Sequence, residues 1–116
     1  MKTLSITFLL FLCLAACKSL TSTTYIKGDD SFVLGNNEHG KFNARLKNIS
    51  DHEIEVYRAP IQGGTHSREV VKPNQTVQVA VEANTALVID NKSARNAAVE
   101  LLVKGDVGLS MGYKNN

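Results

Sequence analysis

The chain has 116 residues, with 13 Lys and Arg against 11 Asp and Glu, two cysteines and no tryptophan. That length supports one small domain with its own core. A formal net charge of +2, interspersed rather than gathered in blocks, gives no electrostatic footprint for nucleic acid.

Met1-Lys2-Thr3 is a short cationic start, and residues 4–14 follow with five leucines and no charge. A positive start before a short apolar run is the order of an export signal. The run is too short to remain as a membrane span, which takes about 20 apolar residues. It ends in Leu14-Ala15-Ala16-Cys17, which resembles the lipobox of bacterial lipoprotein signal peptides. The resemblance implies that the Cys17 thiol carries diacylglycerol, that the chain is cut between Ala16 and Cys17, and that the new amino terminus is usually acylated too. It covers residues 1–17 and implies nothing about the folded part. Cys13 follows Phe11-Leu12 rather than small residues and belongs to the apolar run. Two or more acyl chains hold a protein firmly at a bilayer. Lys18 stands where retention in the inner membrane would call for Asp, so the family's sorting rule favours the outer membrane. With Cys17 lipidated, no cysteine remains for a disulfide, a thiol nucleophile or a metal site.

Residues 18–30 are polar and rich in Ser and Thr. With Cys17 they read as a flexible tether over 17–30, which leaves 31–116 as the domain.

From Ser31 onward the apolar period is two, the mark of strands with one buried face. Phe32-Val33-Leu34 is the first short strand, ended by the turn-rich Gly35 to Gly40. In 41–48, Phe42, Ala44 and Leu46 face one way and Lys41, Asn43, Arg45 and Lys47 the other. In 52–58, Ile54 and Val56 face inward and Glu53, Glu55 and Tyr57 outward. On facing antiparallel strands these glutamates would lie opposite Arg45 and Lys47. A weaker strand is expected over 66–71. Lys72-Pro73-Asn74-Gln75 suits a type I turn. Val77, Val79 and Val81 mark the clearest strand, over 76–82. Ala86-Leu87-Val88-Ile89 is apolar on both faces, as in a central strand. Gly105-Asp106 suits a tight reversal before a last strand over 107–113. There, Gly108, Ser110 and Gly112 would form a nearly bare strip on one face.

Residues 93–103 fit two patterns. Val99, Leu101 and Val103 alternate as in a strand, yet Ala94, Ala97, Ala98, Leu101 and Leu102 also form a helical stripe behind a Ser93 cap. The surrounding strand-and-turn spacing favours the strand, with Asn91 to Asn96 as a hairpin turn. Leu46-Lys47-Asn48-Ile49-Ser50 and Ile89-Asp90-Asn91-Lys92-Ser93 echo each other, consistent with two connections sharing one turn chemistry.

Chemistry-bearing residues are sparse. His39, His52 and His66 lack a second ligand at metal-binding spacing. Asp29-Asp30 and Glu53/Glu55 read as linker and solvent-facing carboxylates rather than an acid–base pair. No nucleophile elbow or phosphate loop is present. No cofactor, metal or catalytic residue is therefore expected. The Pro60 to Gly64 loop, with Tyr57 and Arg58 before it and Gln62 within it, is the candidate recognition loop.

The expected fold is all-β: a single small antiparallel β-sandwich of seven to eight strands, immunoglobulin-like in outline. The alternatives are a small open β-barrel, or an α+β domain if 93–103 is a helix. The expected function is that of a non-enzymatic envelope lipoprotein, tethered to the bilayer through Cys17 and binding another envelope protein. A small-ligand or glycan binder is the alternative; a cluster of exposed aromatic side chains would favour it, but three tyrosines and no tryptophan offer little for one.

Overall fold

The computed structural model describes residues 18–115. The signal segment, the cleavage position at Ala16 and Cys17, and Cys17 as the lipidated residue lie outside them. The period-two segments form nine strands: β1 Ser19–Ile26, β2 Asp30–Leu34, β3 Phe42–Asn48, β4 Ile54–Pro60, β5 Glu69–Val71, β6 Thr76–Val81, β7 Thr85–Asn91, β8 Ala97–Gly105 and β9 Met111–Asn115. All pairings between them are antiparallel. They build a four-stranded sheet, β1-β8-β3-β6, and a five-stranded sheet, β5-β4-β7-β2-β9. Phe42, Leu46, Val99 and Val103 from the first sheet meet Leu34, Ile54, Leu87 and Ile89 from the second in one buried core. The two sheets do not close into a barrel.

The antiparallel sandwich is as expected, with nine strands rather than seven to eight, and its connectivity is that of a jelly roll with one added strand, not an immunoglobulin-like arrangement. Only β4 and β5 are successive strands in one sheet; every other connection crosses to the opposite sheet. Alternation tells which side of a strand is buried, not which sheet holds the strand. For that reason the expected cross-strand pairs are absent: β3 and β4 lie in different sheets, and Glu55 meets Arg68 at 3.3 Å and Lys92 at 3.4 Å instead of Arg45 or Lys47.

Further corrections concern local structure. Most of the expected flexible linker is β1, which pairs with β8 from Ser19 opposite Lys104 to Ile26 opposite Ala97. Its inward row is Leu20, Ser22, Thr24 and Ile26. The hydroxyls of Ser22 and Thr24 satisfy each other at 3.0 Å, so a weakly apolar edge strand packs without an unsatisfied group. The ambiguous segment is a strand from Ala97 onward. Residues 91–96 form a crossing between sheets rather than a hairpin. Asn74 has φ 66° with the Gln75 amide bonded to the Lys72 carbonyl at 3.0 Å, which makes the Pro73 turn type II rather than type I. Gly108 and Ser110 precede β9, so the bare strip does not form.

The sequence echo has a structural counterpart. Asn48 and Asn91 each end a strand where the chain changes sheet, and both are fully buried. Each side-chain amide donates to the carbonyl four residues on, His52 or Arg95, and each side-chain oxygen accepts the amide two residues on, Ser50 or Ser93. One turn chemistry thus makes both crossings.

Candidate functional site

The candidate recognition loop does not assemble. Tyr57 and Arg58 are successive residues of β4, so they point to opposite faces. Tyr57 lies on the outer face of the five-stranded sheet beneath the Arg68 guanidinium, 4.2 Å from the ring centroid. Arg68 also donates to Asp90 at 2.9 Å, and this bond holds the guanidinium proton more tightly than usual. Arg58 turns the other way and donates to the Ala80 carbonyl at 3.1 Å, covering the edge of β6. Gln62 sits alone in the exposed turn after β4.

The histidines are also separate. The His39 ring is buried and packs at a tilt of 57° against Phe42, with centroids 5.2 Å apart; its Nε2 lies 2.8 Å from the Thr85 carbonyl, closing one end of the sandwich. At that end Asp106 accepts the amides of Gly40 at 2.7 Å and Gly108 at 2.8 Å, which hold its carboxyl below the usual 3.8. His52 lies at the opposite end, between the Asp51 carboxylate at 3.0 Å and the Asn91 side-chain oxygen at 3.1 Å. His66 is exposed. Among the described residues no group of three His, Cys, Asp or Glu is placed to hold a metal ion.

Sheet inequality creates a different site. β9 extends the five-stranded sheet past β2, while the four-stranded sheet stops at β1. The inward side of β9 therefore has no strand opposite it. Tyr113 projects there with its ring edge-on to Phe32, centroids 5.6 Å apart. Beside it lies a hollow of about 510 Å³ lined by Tyr25, Ile26, Lys27, Asp30, Asn96 and Tyr113. The two tyrosines are 68% and 59% exposed, although each has a large apolar ring whose burial would be favourable. Asp30 is buried on the hollow's wall, and one of its oxygens accepts the Ser31 amide at 2.9 Å. The Asn96 side-chain oxygen accepts the Gly28 amide at 3.2 Å, which leaves its NH₂ group as the donor end of the side chain. Two aromatic rings, a carboxylate, an amide and the Lys27 ammonium border one concavity. Apolar walls with a few fixed polar groups are the usual make-up of a small-ligand site.

Sequence reasoning missed this site because Tyr25 fell in the supposed linker and Tyr113 near the far end of the chain. Its only available signal was that β-branched threonines precede Tyr25-Ile26, a composition that favours a strand. A second surface is the outer face of the four-stranded sheet. There a broad, shallow trough of about 580 Å³ is bordered by Thr21, Thr23, Arg45, Lys47, Thr76 and Glu100.

No protein-family model matches the chain, and no curated protein matches it. Among solved structures it is similar to CapF, crystallised with the inhibitor 3-isopropenyl-tropolone, at 14% identity and a TM-score of 0.55. That likeness covers 72% of this chain but only 23% of CapF, so it concerns a part of that protein. It is also similar to Yersinia pseudotuberculosis-derived mitogen, at 17% identity and a TM-score of 0.45, over 76% of this chain and 86% of that one. At such identities the likeness to CapF extends to the fold alone: a β-sandwich of two antiparallel sheets.

Proposed function

We propose that the chain is a bacterial envelope lipoprotein, anchored through acylated Cys17 and sorted to the outer membrane, whose sandwich is a non-enzymatic binding module for a glycan or a similar hydroxyl-rich ligand. The convergence of Tyr25 and Tyr113 on one hollow with Asp30 and Asn96 carries this reading. Aromatic faces suit the apolar face of a sugar ring, while the carboxylate and amide suit its hydroxyls. The anchor part of the reading rests on Leu14-Ala15-Ala16-Cys17.

The chain has three tyrosines and no tryptophan, and two of the three border the hollow, so intrinsic fluorescence measured in a Tyr57→Phe background reports on it. Glycans from the envelope should change that fluorescence and retain the protein on a column. Tyr25→Ala and Tyr113→Ala should abolish retention, and Tyr57→Ala should leave it intact. Retention unchanged in both hollow variants would refute the assignment. Binding of another envelope protein is the second reading, favoured by the broad outer trough around Arg45, Lys47 and Glu100. One dominant protein crosslinked in intact envelopes, lost on Arg45→Glu but not on Tyr25→Ala, would establish it in place of the first.

A further inference from the structure

The register of β1 determines which end of the sandwich a lipid on Cys17 holds against the bilayer. Two trans peptide links separate Cys17 from Ser19, a reach of at most about 7.6 Å between Cα atoms. Ser19 is already the first residue of β1 and lies opposite Lys104. The strand continues in register to Ile26 opposite Ala97, so it cannot serve as a flexible spacer without losing its pairing to β8. Lys18 alone stands between the anchor and the fold. Phe42 lies opposite both Gly105 and Val81, which places the start of β3 and the ends of β6 and β8 at the Ser19 end. The Asn84 amide bonds to His39 and the Ile61 amide to Asn84, which brings the loops 35–41, 61–64 and 105–110 to that same end.

We infer that this end faces the lipid headgroups and that the Tyr25–Tyr113 hollow is held away from them. The inference rests on the reading of Cys17 as the anchor. Tyr25 is six positions along β1 from Ser19, about 20 Å at the rise of a strand. The chemistry of the anchored end suits a headgroup layer rather than hydrocarbon. Lys18, Lys41, Lys104 and Glu82 are exposed there, with Asp106 half-buried, and Lys41 pairs with Glu82 at 3.9 Å. Ile61, 40% exposed in the β4–β5 connection, and Met111, 49% exposed opposite Leu34, are two apolar side chains at this end able to reach among headgroups. The bilayer is thus a surface the domain touches, and the ligand hollow opens toward the space beyond it.

The test uses the processed full-length lipoprotein in vesicles of phosphatidylethanolamine and phosphatidylglycerol, a fraction carrying a nitroxide on the headgroup. Cys13 leaves with the signal and Cys17 is blocked by lipid, so one introduced cysteine takes a fluorophore cleanly. Gln62→Cys reports on the proposed near end. Lys72→Cys reports on the far end, where the Asn74 amide bonds to the Asn48 carbonyl. Both positions are exposed. Quenching should be several-fold stronger at residue 62 than at residue 72, and a flexible Gly-Ser insertion between Lys18 and Ser19 should largely remove the difference. Equal or reversed quenching in protein that still sediments with the vesicles would overturn the orientation and leave the anchor standing. A persistent difference after the insertion would also overturn it as a consequence of the short tether. Failure of the protein to sediment with vesicles or to incorporate labelled palmitate would overturn the anchor reading and the orientation with it.

Discussion

Asn48 and Asn91 perform the same local task at two sheet crossings but fasten different parts of the molecule. Their shared bonds have nearly the same lengths: 2.8 Å to the carbonyl four residues on in each case, and 2.9 and 3.2 Å from the amide two residues on. Beyond these, Asn48 reaches only the Val71 carbonyl at 3.0 Å, at the end of the three-residue strand β5. Asn91 reaches the carbonyls of Ile26 and Lys27, both at 3.1 Å, and also faces His52 Nε2 at 3.1 Å. It therefore joins the end of β1, the β3–β4 crossing and its own crossing. The turn motif is local, whereas the stability it supplies depends on what else lies within reach of the same amide.

The largest effect that would sharpen this contrast is expected from Asn91→Asp. The carboxylate would lose the NH₂ donor and face three carbonyl oxygens in a fully buried position. Such an uncompensated charge should lower unfolding stability by about 4 kcal/mol. Asn91→Ala should follow, at about 3 kcal/mol, because it leaves buried carbonyls without donors. Asn48→Ala should cost about 2 kcal/mol by the same reasoning. Urea denaturation at neutral pH measures all three. If Asn48→Ala proved the costlier alanine variant, the local turn rather than its long-range bonds would dominate.

His52→Ala should cost about 1 kcal/mol, the usual net value of one hydrogen bond. In an Asn91→Ala background the same change should cost less, because the bond to Asn91 is already lost. Equal costs in the two backgrounds would show that His52 and Asn91 act independently.

The smallest effect concerns Asp51, which is exposed. Its bond with His52, followed by the Arg95 charge, lowers its pKa below 3.8. A lowered folded-state pKa contributes stability that is present above the unfolded value and lost as pH falls through the folded one. The contribution should therefore fade only below about pH 4. In carboxyl-detected NMR titration, Arg95→Gln should move the Asp51 midpoint back upward. An unmoved midpoint would show that the 2.9 Å Arg95–Asp51 pair does not persist in solution.

The two Asn turns were legible as a sequence echo because their bonds are local. The inward faces of β3 and β7 were legible too, as alternating Phe42, Ala44 and Leu46 and as the doubly apolar Ala86 to Ile89. Sheet membership was not, since crossing and hairpin connections use the same turn residues. β1 escaped notice because half of its inward row is hydroxyl-bearing, and concealing β1 concealed Tyr25. The candidate loop failed for a simpler reason: Tyr57 and Arg58 are adjacent on a strand, so proximity in sequence places them on opposite faces.

The pairing of β1 with β8 also constrains how the domain can fold. Ser19 finds its partner at Lys104, near the other end of the chain, and nearly every connection crosses between sheets. Long-range pairings of this kind are slow because the loop must close before the contacts reward it. A chain emerging from its amino terminus cannot secure its first strand until β8 has also emerged. Until then the uncharged strand Ser19–Ile26 has both of its edges unpaired and open to another chain. Encounters with other proteins during this delay would favour misassembly, and emergence of β8 should reduce that vulnerability by covering one of the two edges, the other staying open because β1 ends its sheet.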